Sequence, residues 1–168
     1  MAGTGSGTAV MTGPVKAHLL VIEARYHEAV ADELLAGAVL EIEAMGATYE
    51  RFTVPGALEI PQVLASAAIY GLMEPDGDDP RFDGVVALGC VIRGETTHYE
   101  TVAGESNRCL MDLALLHAIP VGNAILTVET EAQAMERARG GRKGKGADAV
   151  RAALTLVVHA RALQELSE

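Results

Sequence analysis

The chain has no tryptophan, four tyrosines and two phenylalanines among its 168 residues, so aromatic rings cannot fill its core. Alanine, valine and leucine take that place, the composition expected where helices lie against a parallel sheet. Basic residues are also in deficit: thirteen lysines and arginines stand against twenty-three aspartates and glutamates, a formal charge of −10. That balance excludes nucleic acid as the expected partner, because neutralising phosphate backbones needs a basic surface. Only two cysteines occur, Cys90 and Cys109, both within apolar stretches; they read as reduced, buried thiols rather than a disulfide framework. No apolar run is long enough to cross a bilayer, and MAGTGSGTAVMTGP lacks the basic start and apolar centre of a secretion signal. A cytoplasmic protein with no membrane partner is expected.

What is present has the rhythm of an α/β domain. Residues 1–13 are rich in Gly and Thr and read as a flexible tail, leaving 14–168 as a single domain. The tail's GTGSG imitates a dinucleotide fingerprint, but no strand precedes it. HLLVIEA (18–24) suits a buried strand, and Val30, Leu34, Val39, Ile42 and Met45 then fall on one helical face closed by Gly46. A second strand over 47–54, a turn at Pro55 and Gly56, and helical spacing from Leu58 to Tyr70 follow. After an acidic, Pro- and Gly-containing loop (71–83), GVVALGCVI (84–92) reads as another strand, 98–117 as a helix and AILTV as a fourth strand. Thr130 and Gln133 have capping-box spacing, and 147–166 form a last helix. Alternation of this kind predicts a central, mainly parallel four-stranded sheet covered on both faces, with ligands near the carboxyl ends of its strands.

Three loops at those ends carry the chemistry. In RGETTH (93–98), Gly94 lets the backbone approach a ligand, while Thr97 and Glu100 match a capping box. His98 then falls in the first turn of a helix, where free amides and the helix dipole favour a phosphate. A histidine there is either a proton-transfer group beside an anion or an exposed helix-start residue. Glu59, in VPGALEIP (54–61), either accepts hydrogen bonds from a polyhydroxylated ligand or complements a helix dipole, worth roughly 0.5 kcal/mol. Tyr26, in ARYH at the end of the first strand, can stack on a planar heterocycle or simply pack. Six of the thirteen basic residues lie between Arg137 and Arg151, either to steer an anion or as a solvated connector. His18, His27, His117 and His159 have no paired metal-site spacing, so no metal is expected.

ARYH, VPGALEIP, ALGCVIRGETTHYE, PVGNAILTVE and QAMERA, in this order and spacing, resemble the lumazine synthase family from about Ala17 to Leu166. The resemblance implies a flavodoxin-like three-layer sandwich and a transferase without a cofactor. Such an enzyme condenses 5-amino-6-(D-ribitylamino)uracil with 3,4-dihydroxy-2-butanone 4-phosphate to give 6,7-dimethyl-8-ribityllumazine, phosphate and water, the penultimate step of riboflavin biosynthesis. By the same resemblance Tyr26 stacks on the pyrimidine, Ala57, Leu58 and Glu59 hold the ribityl chain and ring, and the backbone of Cys90, Val91 and Ile92 reads the uracil edge. Glu95 and Thr96 form the phosphate-binding turn, and His98 moves protons. Asn123, Arg137 and Lys145 act from the neighbouring subunit: Asn123 closes over the uracil, Arg137 clamps the phosphate, and Lys145 lies near the pyrimidine. A homo-oligomer is implied, as a pentamer, a decamer or a 60-subunit icosahedral shell, with riboflavin synthase as a further partner. Asn123 stands where many relatives carry phenylalanine, Gly141 falls on a position that is basic elsewhere, and Asp76–Asp79 look like an insertion. The competing readings are a flavin-binding, shell-forming relative without turnover and a flavodoxin-like electron carrier. The second lacks its Ser- and Thr-rich phosphate loop after the first strand.

Overall fold

A computed structural model of the chain describes residues 13–73 and 81–167. Residues 1–12 of the expected tail and 74–80 of the acidic loop lie outside the described residues. Strands β1 (His18–Ala24), β2 (Thr48–Val54), β3 (Gly84–Ile92) and β4 (Val121–Val128) form one sheet in the order β2-β1-β3-β4. Every pairing is parallel. β1 and β3 are central and buried along nearly their whole length, which is why β3 reads as an unbroken apolar run and β1 as one broken near its end only by Glu23, whose buried carboxylate pairs with Arg51. β2 is an edge strand, and most of its side chains face outward.

Helices α1 (Glu28–Ala44), α4 (Glu131–Ala138) and α5 (Lys145–Glu165) cover one face of the sheet, and α2 (Ile60–Ile69) and α3 (His98–Leu116) cover the other. The alternating side chains of β1 divide the core accordingly: Leu19 and Val21 pack under α1 and α5, Leu20 and Ile22 under α2 and α3. Gly46 ends α1 with φ +71°, as its position just after the last apolar residue predicts. The buried face of α1 differs from its apolar spacing. Val39 and Met45 are only half-buried, whereas Ala31, Gly37, Ala38 and Glu41 are enclosed. The cause is the tight approach of α5 and the chain leading into it. A Cβ added at Gly146 would lie 2.0 Å from the Leu34 carbonyl oxygen, and one at Gly37 would lie 2.7 Å from the carbonyl oxygen of Gly141. Only the smallest residues fit this seam.

From β1 the chain crosses to β2 at one edge, then passes back over β1 to β3. The connections leave β1 and β3 in opposite directions, so their carboxyl ends flank a topological switch point where a crevice opens.

Candidate active site

The crevice holds a cavity of about 390 Å³ lined by residues from the ends of three strands. Tyr26 and His27 follow β1, and Gly56–Glu59 follow β2. Cys90–Ile92, Gly94, Thr96, His98, Tyr99 and Val102 come from β3, the turn after it and the first turns of α3. Of the residues singled out in the sequence, Tyr26, Ala57, Leu58, Glu59, Cys90, Val91, Ile92, Thr96 and His98 share this cavity. Glu95 sits beside it on the exposed turn.

Each wall has a local cause. Tyr26 is 78 % exposed, far more than packing would leave it, and its ring meets that of His27 edge-on at 5.0 Å. Glu59 ends a 3-10 turn (Ala57–Glu59) that leads into α2, and its Oε2 accepts a hydrogen bond from the Gly56 N–H at 2.9 Å. This bond fixes the carboxylate over the loop and leaves Oε1 without a partner among the described residues. Cys90 is enclosed in the strand end; burial, together with the nearby charge of Glu131, pushes its thiol up to about 11. It is a neutral wall group at ordinary pH. Burial also pulls the His27 imidazole below its ordinary range, against the opposing pull of Glu131.

The capping box expected at Thr97 and Glu100 does not form. Thr97 occupies the N-cap of α3 but its side chain accepts no hydrogen bond from the helix. Glu100 pairs with Arg93 instead, which holds its carboxyl below the usual range. The His98 N–H meets only the Thr96 hydroxyl, at 3.3 Å. By contrast Thr130 does cap α4, accepting from the Gln133 N–H at 3.2 Å, while Gln133 Oε1 accepts from Glu129 N–H, one residue earlier than a capping box places it.

Asn123, Arg137 and Lys145 are not in the cavity. Asn123 lies in the first half of β4, where its amide donates to Asn107 Oδ1 at 2.6 Å and its own Oδ1 accepts from the Ile125 N–H. Arg137, exposed on the last turn of α4, donates to the Gln133 carbonyl, and Lys145 pairs with Asp148 at 2.8 Å. The basic connector is less free than its composition implies. Arg142 and Arg151 both reach the Glu41 carboxylate, which is 1 % exposed, at 2.7 and 2.9 Å. Burial works to raise the Glu41 carboxyl, but the two guanidiniums outweigh it and hold it below its ordinary value.

His27, Tyr99 and Val102 line the cavity without having been singled out. Val102 follows His98 by four residues and Tyr99 by three, and that helical spacing was the available signal. Among the described residues there is no cluster of His, Cys, Asp and Glu able to hold a metal ion, and no helix is long and apolar enough to cross a membrane.

Comparison with known proteins agrees with this geometry. The family profile of 6,7-dimethyl-8-ribityllumazine synthase matches residues 16–161. Proteins named 6,7-dimethyl-8-ribityllumazine synthase are similar along most of the chain. That of Azorhizobium caulinodans is 62 % identical over 141 residues, spanning 84 % of this chain and 85 % of its own. That of Agrobacterium fabrum is 53 % identical over 142 residues, 84 % and 93 % of the two chains. That of Xanthobacter autotrophicus is 53 % identical over 163 residues, 97 % and 94 %. On the fold, the crevice and these matches together, the chain belongs to the 6,7-dimethyl-8-ribityllumazine synthase family.

Proposed function

We propose that the chain is a single catalytic domain that condenses 5-amino-6-(D-ribitylamino)uracil with 3,4-dihydroxy-2-butanone 4-phosphate, the penultimate step of riboflavin biosynthesis. The observation that carries this reading is the convergence of Tyr26, Glu59, the Cys90–Ile92 strand end, Thr96 and His98 on one cavity at the switch point. A flat pyrimidine fits against the exposed Tyr26 ring, with its edge on the backbone after Gly89 and its ribityl hydroxyls on Glu59. The phosphate belongs at the turn of Glu95 and Thr96, near the unpaired amides that open α3.

In this arrangement the aromatic amine adds to the ketone to give a carbinolamine, which loses water to a Schiff base. His98 takes and returns the protons. Phosphate then leaves as its C–O bond breaks, and the ribitylamino nitrogen closes the ring with loss of water. Orientation of two substrates in one pocket can supply roughly 7–11 kcal/mol of barrier lowering in favourable cases. Arg137, Lys145 and Asn123 complete the pocket of a neighbouring copy, as the resemblance implies; each lies outside the cavity of its own chain. A pentamer, or an assembly of pentamers, in the cytoplasm is the corresponding state, with riboflavin synthase as the enzyme that takes up the product.

The test mixes the purified protein with both substrates and follows lumazine fluorescence together with phosphate release. Product well above the uncatalysed background is expected. Background-rate turnover with retained flavin binding would instead mark a shell-forming binder.

A further inference from the structure

One arginine beside the cavity belongs to none of the roles above. Arg93 follows β3 directly and precedes Gly94 of the turn, and its N–H continues the strand ladder by donating to the Val128 carbonyl at 2.9 Å. Its guanidinium makes three contacts. It pairs with Glu100 in the first turn of α3, its Nε reaches Glu129 Oε2 at 2.8 Å just beyond β4, and it lies over the Tyr99 ring at 4.3 Å. Both carboxylates draw the guanidinium to a firmly charged state, the Glu100 hydrogen bond most of all.

We propose that Arg93 is a positioning residue for phosphate: it keeps the Glu100 carboxylate off the N-cap amide of α3 and offsets the negative charge beside the turn. The proposal rests on reading residues 94–98 as the phosphate site. At a capping-box helix start, the third residue's carboxylate folds back onto the helix and brings an anion to the place where a phosphate must sit. Here Glu100 has that spacing, yet no cap forms: its carboxylate pairs with Arg93 first and with its own backbone N–H second, not with the amide of the N-cap. The Tyr99 N–H has no acceptor among the described residues, and the His98 N–H has only its long contact with Thr96. Without Arg93 the turn would present Glu95, Glu100 and Glu129 to a dianion with no cation of its own chain among them. The stacking on Tyr99, which lines the cavity, also ties the arginine to the pocket wall.

The test compares wild type, Arg93→Gln, Glu100→Gln and the double variant in two measurements. Calorimetric titration with inorganic phosphate needs no turnover; steady-state kinetics give KM for each substrate. Arg93→Gln should weaken phosphate binding and raise KM for the butanone phosphate by about tenfold, with KM for the pyrimidine within about twofold. Adding Glu100→Gln should recover most of the loss, a rescue that a merely structural role would not produce. Equal rises in both KM values, unchanged phosphate binding in Arg93→Gln, or a double variant no better than the single one would each overturn the proposal. If Arg93→Gln does not fold, Glu100→Gln alone decides: it should tighten phosphate binding, and an unchanged or weaker affinity overturns the proposal. Wild type that binds phosphate but forms no lumazine would defeat the enzymatic reading and leave the phosphate comparison intact.

Discussion

The carboxyl ends of β1, β2 and β3 and the segments that follow them place Tyr26, Glu59, Cys90, Thr96 and His98 around one cavity, whereas Asn123, Arg137 and Lys145 are engaged by Asn107, Gln133 and Asp148 of their own chain. The first group is assembled by topology: parallel strands end together, and the switch point opens between them. The second group is spread along the edge strand β4 and the helices α4 and α5. Under the proposed function the first group belongs to the site through the fold of its own chain, and the second is assigned to it through the geometry of a neighbour.

The strongest challenge to that division is to remove one residue from each group. His98→Ala should lower kcat by about a hundredfold while leaving the melting temperature and assembly unchanged, read by steady-state kinetics and native mass spectrometry. Arg137→Ala should raise KM for the butanone phosphate by about tenfold and leave KM for the pyrimidine nearly untouched. Co-assembling the two variants provides the decisive contrast. With the variants mixed one to one and the butanone phosphate well below its KM, shared sites would return about one quarter of wild-type activity under random assortment, and a mixture no more active than the mean of its parts would place both groups in one chain.

Smaller effects sharpen the comparison from the stability side. Glu41→Gln should destabilise the protein by about 1–3 kcal/mol at neutral pH, since it leaves Arg142 and Arg151 without their buried acceptor while both still reach water. Glu41 is held below its ordinary value in the folded state, so its contribution is present above the usual carboxylate range and lost as pH falls through the lowered value. The melting temperatures of wild type and Glu41→Gln should converge in acid. Cys90, with its thiol pushed up to about 11, should be alkylated only very slowly in the native protein at pH 8, where roughly one thiol in a thousand is ionised. Mass spectrometry of iodoacetamide-treated native and denatured protein checks this.

The central strands were legible because coverage on both faces leaves largely apolar runs, and the cavity was legible as far as loops at strand ends reveal themselves through Gly56, Gly94 and their neighbours. What escaped depended on partners outside the local motif. Arg142 meets Glu41 across 101 residues, so the connector's positive charge looked free when part of it was already spent. The Thr97–Glu100 spacing was a sound capping signal, but a local motif competes with any stronger partner, and Arg93 is stronger. On α1 the apolar spacing pointed to Val39 and Met45, while the close backbone of α5 selected Gly37 and Ala38.

The seam where α1 meets α5 and the chain before it has a consequence for tolerance to change. Its spacing is set by main chain against main chain at Gly37 and Gly146, with no flexible side chain between to absorb an error. A methyl group at either glycine would act as a wedge, and the wedge would be felt first at Lys145 and Arg142, which adjoin it. The seam thus serves as a fixed gauge for the far side of the molecule, and drift in these two positions should be purged even though neither touches the cavity.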